Sequence, residues 1–210
     1  MWQLFIGSLV LSIIHAAIPN HWIPLIAIGK TEKWTIRETI NATLVTGFSH
    51  TLSTIIIGII VGFIGIKLTS YYNLVMNYIA PSIISGIGVI YIILHFTKHN
   101  HSHAENELIV KTKNMKSKVA ILATLSIAMF LTPCVEIEAY YFQAGMIGWK
   151  GIFLVSAVYT LITVLMMLIL VYTGFKGTQR LRSHTLEHNE KLITGTVLII
   201  LGLLAFILKY

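Results

Sequence analysis

Long apolar runs are the feature that most restricts the fold of this chain. Runs of about 18 or more apolar residues recur along its length, and only 11% of its 210 residues are charged. A soluble domain of this size could not cover its surface with so few charges. The sequence therefore predicts an all-α integral membrane protein, because a helix satisfies its own backbone hydrogen bonds in lipid.

The spacing of the apolar runs predicts six transmembrane helices. We expect these spans at roughly 2–29, 39–66, 72–97, 119–145, 150–175 and 191–209. The first run lacks the basic start and the short apolar core of a cleaved signal peptide, so we expect it to remain as a span. The single cysteine excludes an intramolecular disulfide.

Lysine and arginine are distributed unevenly between the expected loops. Twelve lie in or beside the loops at 30–38, 98–118 and 176–191, and only three lie on the opposite side. Positive residues collect on the cytoplasmic side of a membrane. We therefore expect a multi-pass protein of the inner (plasma) membrane with both termini outside. The net charge of +7 follows from these loops and does not call for nucleic acid as a partner.

An internal repeat is visible at an offset of 109 residues. The shift lays Thr51–Thr54 on Thr160–Thr163 and Ile84-Ser-Gly86 on Ile193-Thr-Gly195. Three spans per repeat is an odd number, so the two halves would have opposite orientations in the membrane. This inverted arrangement is typical of secondary transporters, whose substrate site lies at the midplane between the halves.

The repeat divides the chain into three parts. We expect a first three-helix repeat at 1–97, a cytoplasmic loop rich in histidine and lysine at 98–118, and a second three-helix repeat at 119–210. The loop carries three alternating histidines, His99, His101 and His103, which could collect divalent metals. The first spans of the two halves need a gap of about five residues to superpose the proline motifs that they contain.

The first of these proline motifs surrounds Pro19 in the first span. His15, Asn20 and His21 lie beside Pro19, at a depth where polar residues are costly and usually functional. On an unbroken helix the second histidine would lie about 240° further around the axis, on a different face, but a break at the proline could bring the two together. His50 reaches a similar depth in the second span. Neutral imidazole is a common ligand of Zn, Ni, Co and Cu, so three histidines make a plausible metal shell.

The second motif is Pro133-Cys134-Val-Glu136-Ile-Glu138 in the fourth span. A thiolate and carboxylates could complete a metal site or neutralise a bound cation. Glu136 and Glu138 point to different faces of a regular helix, so we expect only one to line the cavity unless Pro133 opens the turn. The alternative is that Cys134 is a small buried apolar residue and that Glu138 lies near the outer interface.

With these motifs the first half resembles the nickel/cobalt transporter family. The first-span signature of that family is His-x4-Asp-His, and the next span carries Phe-Ser…His-Ser/Thr. The stretches from His15 to His21 and from Phe48 to Thr51 match this spacing, with Asn20 in place of the acid. The resemblance implies that His15, Asn20, His21 and His50 are metal-site positions.

The second half resembles a different group, the membrane thiol–disulfide transporters of cytochrome c biogenesis. The resemblance rests on Thr132-Pro-Cys-Val, which is similar to the Pro-Cys elements of those proteins. They need a reactive cysteine in each half, and this chain has Asn20 where the other would fall. Both groups are placed near the lysine-exporter-like superfamily, whose architecture has six spans and an inverted repeat.

Together these features predict a secondary transporter that exports a divalent transition metal such as Ni, Co or Zn. The expected midplane metal site comprises His15, Asn20, His21, His50, Cys134, Glu136 and Glu138. Two alternatives remain open: an intramembrane metal-dependent enzyme or redox protein, and an exporter of a small anion or sulfur compound. The expected partners are the metal ion and the lipid bilayer, and self-association into a homo-oligomer is compatible with the sequence.

Overall fold

The structure is a computed structural model that describes residues 1–71, 74–97, 117–177 and 190–208. Within these ranges it contains helices and no β-strand, which confirms the all-α prediction. The helices are α1 (Trp2–Ala17), α2 (Pro19–Thr31), α3 (Ile36–Lys67), α4 (Ala80–Thr97), α5 (Lys118–Phe130), α6 (Val135–Ile147), α7 (Trp149–Lys176) and α8 (Glu190–Leu208). A 3-10 turn at Thr69–Tyr71 and a π-helical turn at Val75–Ile79 precede α4.

Four helical segments are long and apolar enough to cross a membrane. They are Trp2–Thr31, Ile36–Lys67, Asn77–Thr97 and Trp149–Lys176. Two further apolar helices, Lys118–Phe130 and Gly195–Leu204, are shorter. These two lie within the remaining expected spans, so the six-span topology stays a prediction.

The first and fourth expected spans are each interrupted at a proline, as the sequence predicts. Between α1 and α2, Ile18 is extended (φ −63°, ψ 130°), because the ring of Pro19 disfavours helical backbone in the preceding residue. Pro133 lies between α5 and α6, and Cys134 is the extended N-cap of α6. Ile18 at the first break and Cys134 at the second are buried, whereas Phe130 and Leu131 at the end of α5 are exposed.

Helix α3 has an inverted distribution of polar and apolar residues. Its N-terminus is closed by a capping box in which Thr35 and Glu38 exchange hydrogen bonds. Its buried face carries small, hydroxyl and histidine residues: Thr39, Ala42, Thr43, Thr46, Gly47, His50, Thr51, Ser53, Thr54, Gly58, Gly62 and Gly65. Its exposed face carries large apolar ones: Val45, Phe48, Leu52, Ile56, Ile60 and Phe63. Such a helix is suited to lipid outside and to close helix packing inside.

Two helix crossings depend on glycine. A Cβ atom added to Gly145 of α6 would overlap the backbone carbonyl of Gly62 on α3, so the two helices touch through their backbones. At the crossing of α4 and α8, a Cβ on Gly88 would lie 2.7 Å from the carbonyl oxygen of Gly195, and the reverse distance is also 2.7 Å. These contacts hold α6 against α3, and α4 against α8.

The core divides into two clusters on either side of the first break. Leu4 and Leu11 of α1 pack in a cluster with Tyr141 and Tyr159 from the second half. Residues after the break pack in the other cluster: Trp22, Leu25 and Ile28 of α2, with Trp34, Ala42, Ile121, Leu125, Met167 and Val171. The break and its polar side chains therefore lie between two apolar clusters.

Candidate metal centre

Three histidines from the first half form the centre of the site. His15 lies in the last turn of α1, His21 in the first turn of α2 and His50 in the middle of α3. The ring centroids of His15 and His21 are 4.4 Å apart, and those of His21 and His50 are 4.8 Å apart. The three residues are at most 6% exposed. The break before Pro19 has brought His15 and His21 together, as predicted.

The second half supplies a thiol and a carboxylate to the same place. Sγ of Cys134 lies 3.3 Å from Nδ1 of His15 and donates to Oε2 of Glu136 at 2.9 Å. The same Glu136 oxygen lies 3.9 Å from Nδ1 of His15. Because Glu136 occupies the first turn of α6, its carboxylate also lies at the positive end of that helix.

The geometry is suitable for a metal ion. Nε2 of His15 and Nε2 of His50 lie 3.2 Å apart. Two nitrogen ligands at about 2.0–2.1 Å from a tetrahedral ion would lie about 3.3 Å apart. Nε2 of His21 is buried and has no hydrogen-bond partner in the described part of the chain. A buried nitrogen without a partner is costly, and an ion bound among the three rings would satisfy it.

Two groups of donors meet the requirements of a metal site. One is His15, His21 and His50, and the other is His15, Cys134 and Glu136; within each group the ligand atoms lie within 4.8 Å of one another, and all are buried. Five of the seven residues predicted from the sequence are therefore brought together.

The other two predicted residues are not placed in these groups. Glu138 lies outside both, and neither of its carboxylate oxygens has a hydrogen-bond partner in the described residues. This agrees with the expectation that only one of the two glutamates lines the cavity. Asn20 belongs to α2, and its side chain lies outside the described part of the structure, as do the loop histidines of 98–116.

Three hydroxyl groups support the donors. Tyr159 of α7 places its hydroxyl 3.3 Å from Nε2 of His50, and Tyr91 of α4 donates to Oε1 of Glu136. Thr54 Oγ1 accepts a hydrogen bond from the backbone N–H of Cys134 at 3.0 Å. These hydroxyl groups lie on three different helices and hold the donors in place.

No sequence motif indicated the two tyrosines, and Thr54 was noted only as part of the internal repeat. A signal for Tyr159 was present, because the 109-residue offset that aligns Thr54 with Thr163 also aligns His50 with Tyr159. The hydrogen bond from Tyr91 to Glu136 depends on how α4 packs against α6, and no motif in the sequence indicates it.

No protein-family model, curated protein or solved structure matches this chain. The chemistry of the donors and their position in the fold are therefore the basis for a function.

Proposed function

We propose that the protein is a secondary transporter that exports a divalent transition-metal cation through a site between two inverted three-helix repeats. The observation that carries this proposal is the buried three-histidine group at a helix break inside a long apolar segment. Buried ionisable groups within a membrane are costly, and they usually mark an ion or substrate pathway. Discontinuous helices at such a site are typical of transporters.

Two contacts support the inverted repeat. In a structure with approximate two-fold symmetry, equivalent residues can touch each other only at the axis. His50 and Tyr159, equivalent at the offset of 109, are in contact. The crossing of α4 and α8 is also reciprocal, because Gly88 packs against Ile199 and Gly195 against Ile92, but these residues are related by 107 positions and not by the 109 that aligns Gly86 with Gly195. The metal centre would thus lie on the axis between the halves.

The donors favour a cation of borderline character. Three imidazoles with a carboxylate and a thiol nearby suit Ni²⁺, Co²⁺ or Zn²⁺ better than the oxygen-binding Mg²⁺ or Ca²⁺. The Glu136 carboxylate beside His15 would repel a small anion, so this arrangement disfavours the anion exporter. Export from the cytoplasm is part of the proposal, and its direction is tested separately below.

The proposal is tested by metal flux in proteoliposomes that contain the purified full-length chain and no nucleotide. We expect uptake or release of Ni²⁺, Co²⁺ or Zn²⁺ by the wild type and none by His15→Ala, because His15 belongs to both donor groups. His95→Ala, which removes a histidine outside the centre, is the matched control. The melting temperature of each variant establishes that it is folded.

Two outcomes would contradict transport. A metal ion that survives prolonged dialysis and does not exchange would indicate a resident metal, and thus the intramembrane enzyme. Flux that is equal in the wild type and His15→Ala would show that the buried centre is not on the ion path. For the direction of transport, we expect cells that express the wild type to accumulate less of the ion than cells that express His15→Ala.

A further inference from the structure

His15 faces two groups of donors with its two ring nitrogens. Its Nε2 lies 3.2 Å from Nε2 of His50, whereas its Nδ1 lies 3.3 Å from Sγ of Cys134. The lone-pair directions of the two nitrogens of an imidazole diverge, so one ion cannot bind both of them. The donors from the two halves therefore cannot form one shell around one ion with His15 in this orientation. They divide into two positions that share a ring.

The geometry points to a second metal position, formed by Nδ1 of His15, Sγ of Cys134 and Oε2 of Glu136, beside the three-histidine position. The three atoms lie within 4.8 Å of one another and are buried. A mixed sulfur, nitrogen and oxygen set suits borderline to soft divalent cations such as Co²⁺, Zn²⁺ or Cd²⁺. The inference rests on the proposed function and deepens it, because it gives the transported ion two successive places.

The shared ring makes occupation of the two positions exclusive. A neutral imidazole has one unprotonated nitrogen at a time. His15 can therefore bind an ion through Nε2, together with His21 and His50, or through Nδ1, together with the second-half donors. Transfer of the ion breaks its bond to Nε2 and forms one to Nδ1, while the ring proton leaves Nδ1 and a proton binds Nε2, so the ion passes from the first half of the protein to the second.

The second position needs only a small adjustment to bind an ion. Sulfur and oxygen ligands of a tetrahedral ion lie about 3.6 Å apart, given metal–ligand distances of about 2.3 and 2.1 Å. Sγ of Cys134 and Oε2 of Glu136 are 2.9 Å apart, joined by the thiol hydrogen bond. Binding would break the S–H bond of Cys134 and form a metal–sulfur bond, and the proton would pass to the bulk solvent.

Two contacts hold the second-half donors without using their ligand atoms, while the Tyr159 hydroxyl interacts with the thiol of Cys134. Thr54 holds Cys134 by its backbone N–H, and Tyr91 holds Glu136 by Oε1. Neither contact uses Sγ of Cys134 or Oε2 of Glu136. The backbone and the far side of the carboxylate are thus fixed, while the two ligand atoms face His15.

The test is titration of the full-length chain in detergent with Co²⁺, followed by absorbance. Thiolate bound to Co²⁺ produces a charge-transfer band in the near ultraviolet, which imidazole and carboxylate ligands do not produce. We expect the wild type to bind one Co²⁺ per chain, with a band of partial intensity. His21→Ala, which changes only the three-histidine position, should bind Co²⁺ at least tenfold more weakly and with a stronger band per bound ion.

Cys134→Ser should still bind one Co²⁺ but without the band, and His95→Ala should match the wild type. Co²⁺ bound without a band by both the wild type and His21→Ala would overturn the second position and leave the proposed function standing. Loss of all Co²⁺ binding in a folded Cys134→Ser variant would also overturn it, because it would indicate a single shell. If the folded wild type binds no Co²⁺, Ni²⁺ or Zn²⁺ at all, the proposed function itself is contradicted.

Discussion

Thr54 and Thr163 are equivalent residues of the proposed repeat, but they have different surroundings. Both side chains are fully buried. Thr54 accepts the N–H of Cys134, donates to the His50 carbonyl at 3.2 Å and touches the Tyr159 hydroxyl. Thr163 Oγ1 has no hydrogen-bond partner in the described residues. One threonine therefore holds the candidate metal centre together, whereas the other fills space in the core.

The pair provides a test with its own control. Thr54→Val keeps the shape of the side chain but leaves the buried N–H of Cys134 unpaired, and we expect it to destabilise the protein by about 1–3 kcal/mol. Thr163→Val should be neutral or stabilising, because it removes a hydroxyl that has no partner. Thermal unfolding in detergent measures both. Equal effects of the two substitutions would contradict the assigned role of Thr54.

Glu136 and Glu138 form a second pair of residues, within one turn of α6, of which one contacts the candidate centre and the other does not. Glu136 belongs to the donor groups and Glu138 does not. We expect Glu136→Gln to reduce the charge-transfer band at least tenfold while the three-histidine position still binds Co²⁺, and Glu138→Gln to change the band and the affinity less than about twofold. Equilibrium dialysis and absorbance measure these effects. A larger loss from Glu138→Gln would place that carboxylate on the ion path.

At the scale of the elements, the break between α1 and α2 is what assembles the three-histidine group. Ile18 is extended because a proline follows it. In Pro19→Ala this restriction is removed, and α1 can continue into α2, with His15 and His21 then on different faces, about 120° apart around the axis. We expect this variant to remain helical and to lose at least tenfold in Co²⁺ affinity.

The control for Pro19→Ala is Pro24→Ala, since Pro24 lies inside α2 and past the break. Its substitution should leave Co²⁺ affinity unchanged within about twofold. Dialysis against Co²⁺ compares the two, and circular dichroism establishes that helix content is kept. Unchanged affinity in Pro19→Ala would mean that the packing of α1 and α2, rather than the proline, maintains the break.

The crossing of α3 and α6 brings the second-half donors to the histidines. Gly145→Ala places a methyl group against the backbone of Gly62, which no side-chain rotation can relieve. We expect a loss of about 1–3 kcal/mol or more of stability, seen as a lower melting temperature. Gly86→Ala is the control, because a Cβ there meets nothing within 4 Å. A melting temperature unchanged in both would exclude the close crossing.

At the scale of the whole molecule, the inverted repeat predicts which side of the membrane each loop occupies. In a Cys134→Ser background, a cysteine at Ser102 should react with a membrane-impermeant maleimide only from the cytoplasmic side. A cysteine at Ser70, which is exposed after α3, should react only from outside. Labelling of intact cells and of inside-out vesicles distinguishes the two. Reaction of both from the same side would exclude the six-span topology.

The sequence by itself determined the helical class, the helix breaks and most of the donors. Long apolar runs predict helices, because a helix satisfies its own backbone hydrogen bonds in lipid. Proline disfavours helical backbone in the residue before it. Histidine, cysteine and glutamate are conspicuous within such runs because their burial is costly. For these reasons the breaks at Pro19 and Pro133, and five donors that meet at one centre, were predictable.

Only the tertiary structure decided how the donors are divided. Which nitrogen of His15 faces His50 and which faces Cys134 depends on how α1 packs against α6 and α7 of the second half. The choice of Glu136 over Glu138 depends on the rotation of α6, which the backbone contact of Gly145 with Gly62 sets. The support from Tyr91 and Tyr159 likewise requires helices far apart in the chain to meet. Sequence spacing specifies directions within one helix, whereas contacts between helices are specified by the packing of the whole molecule.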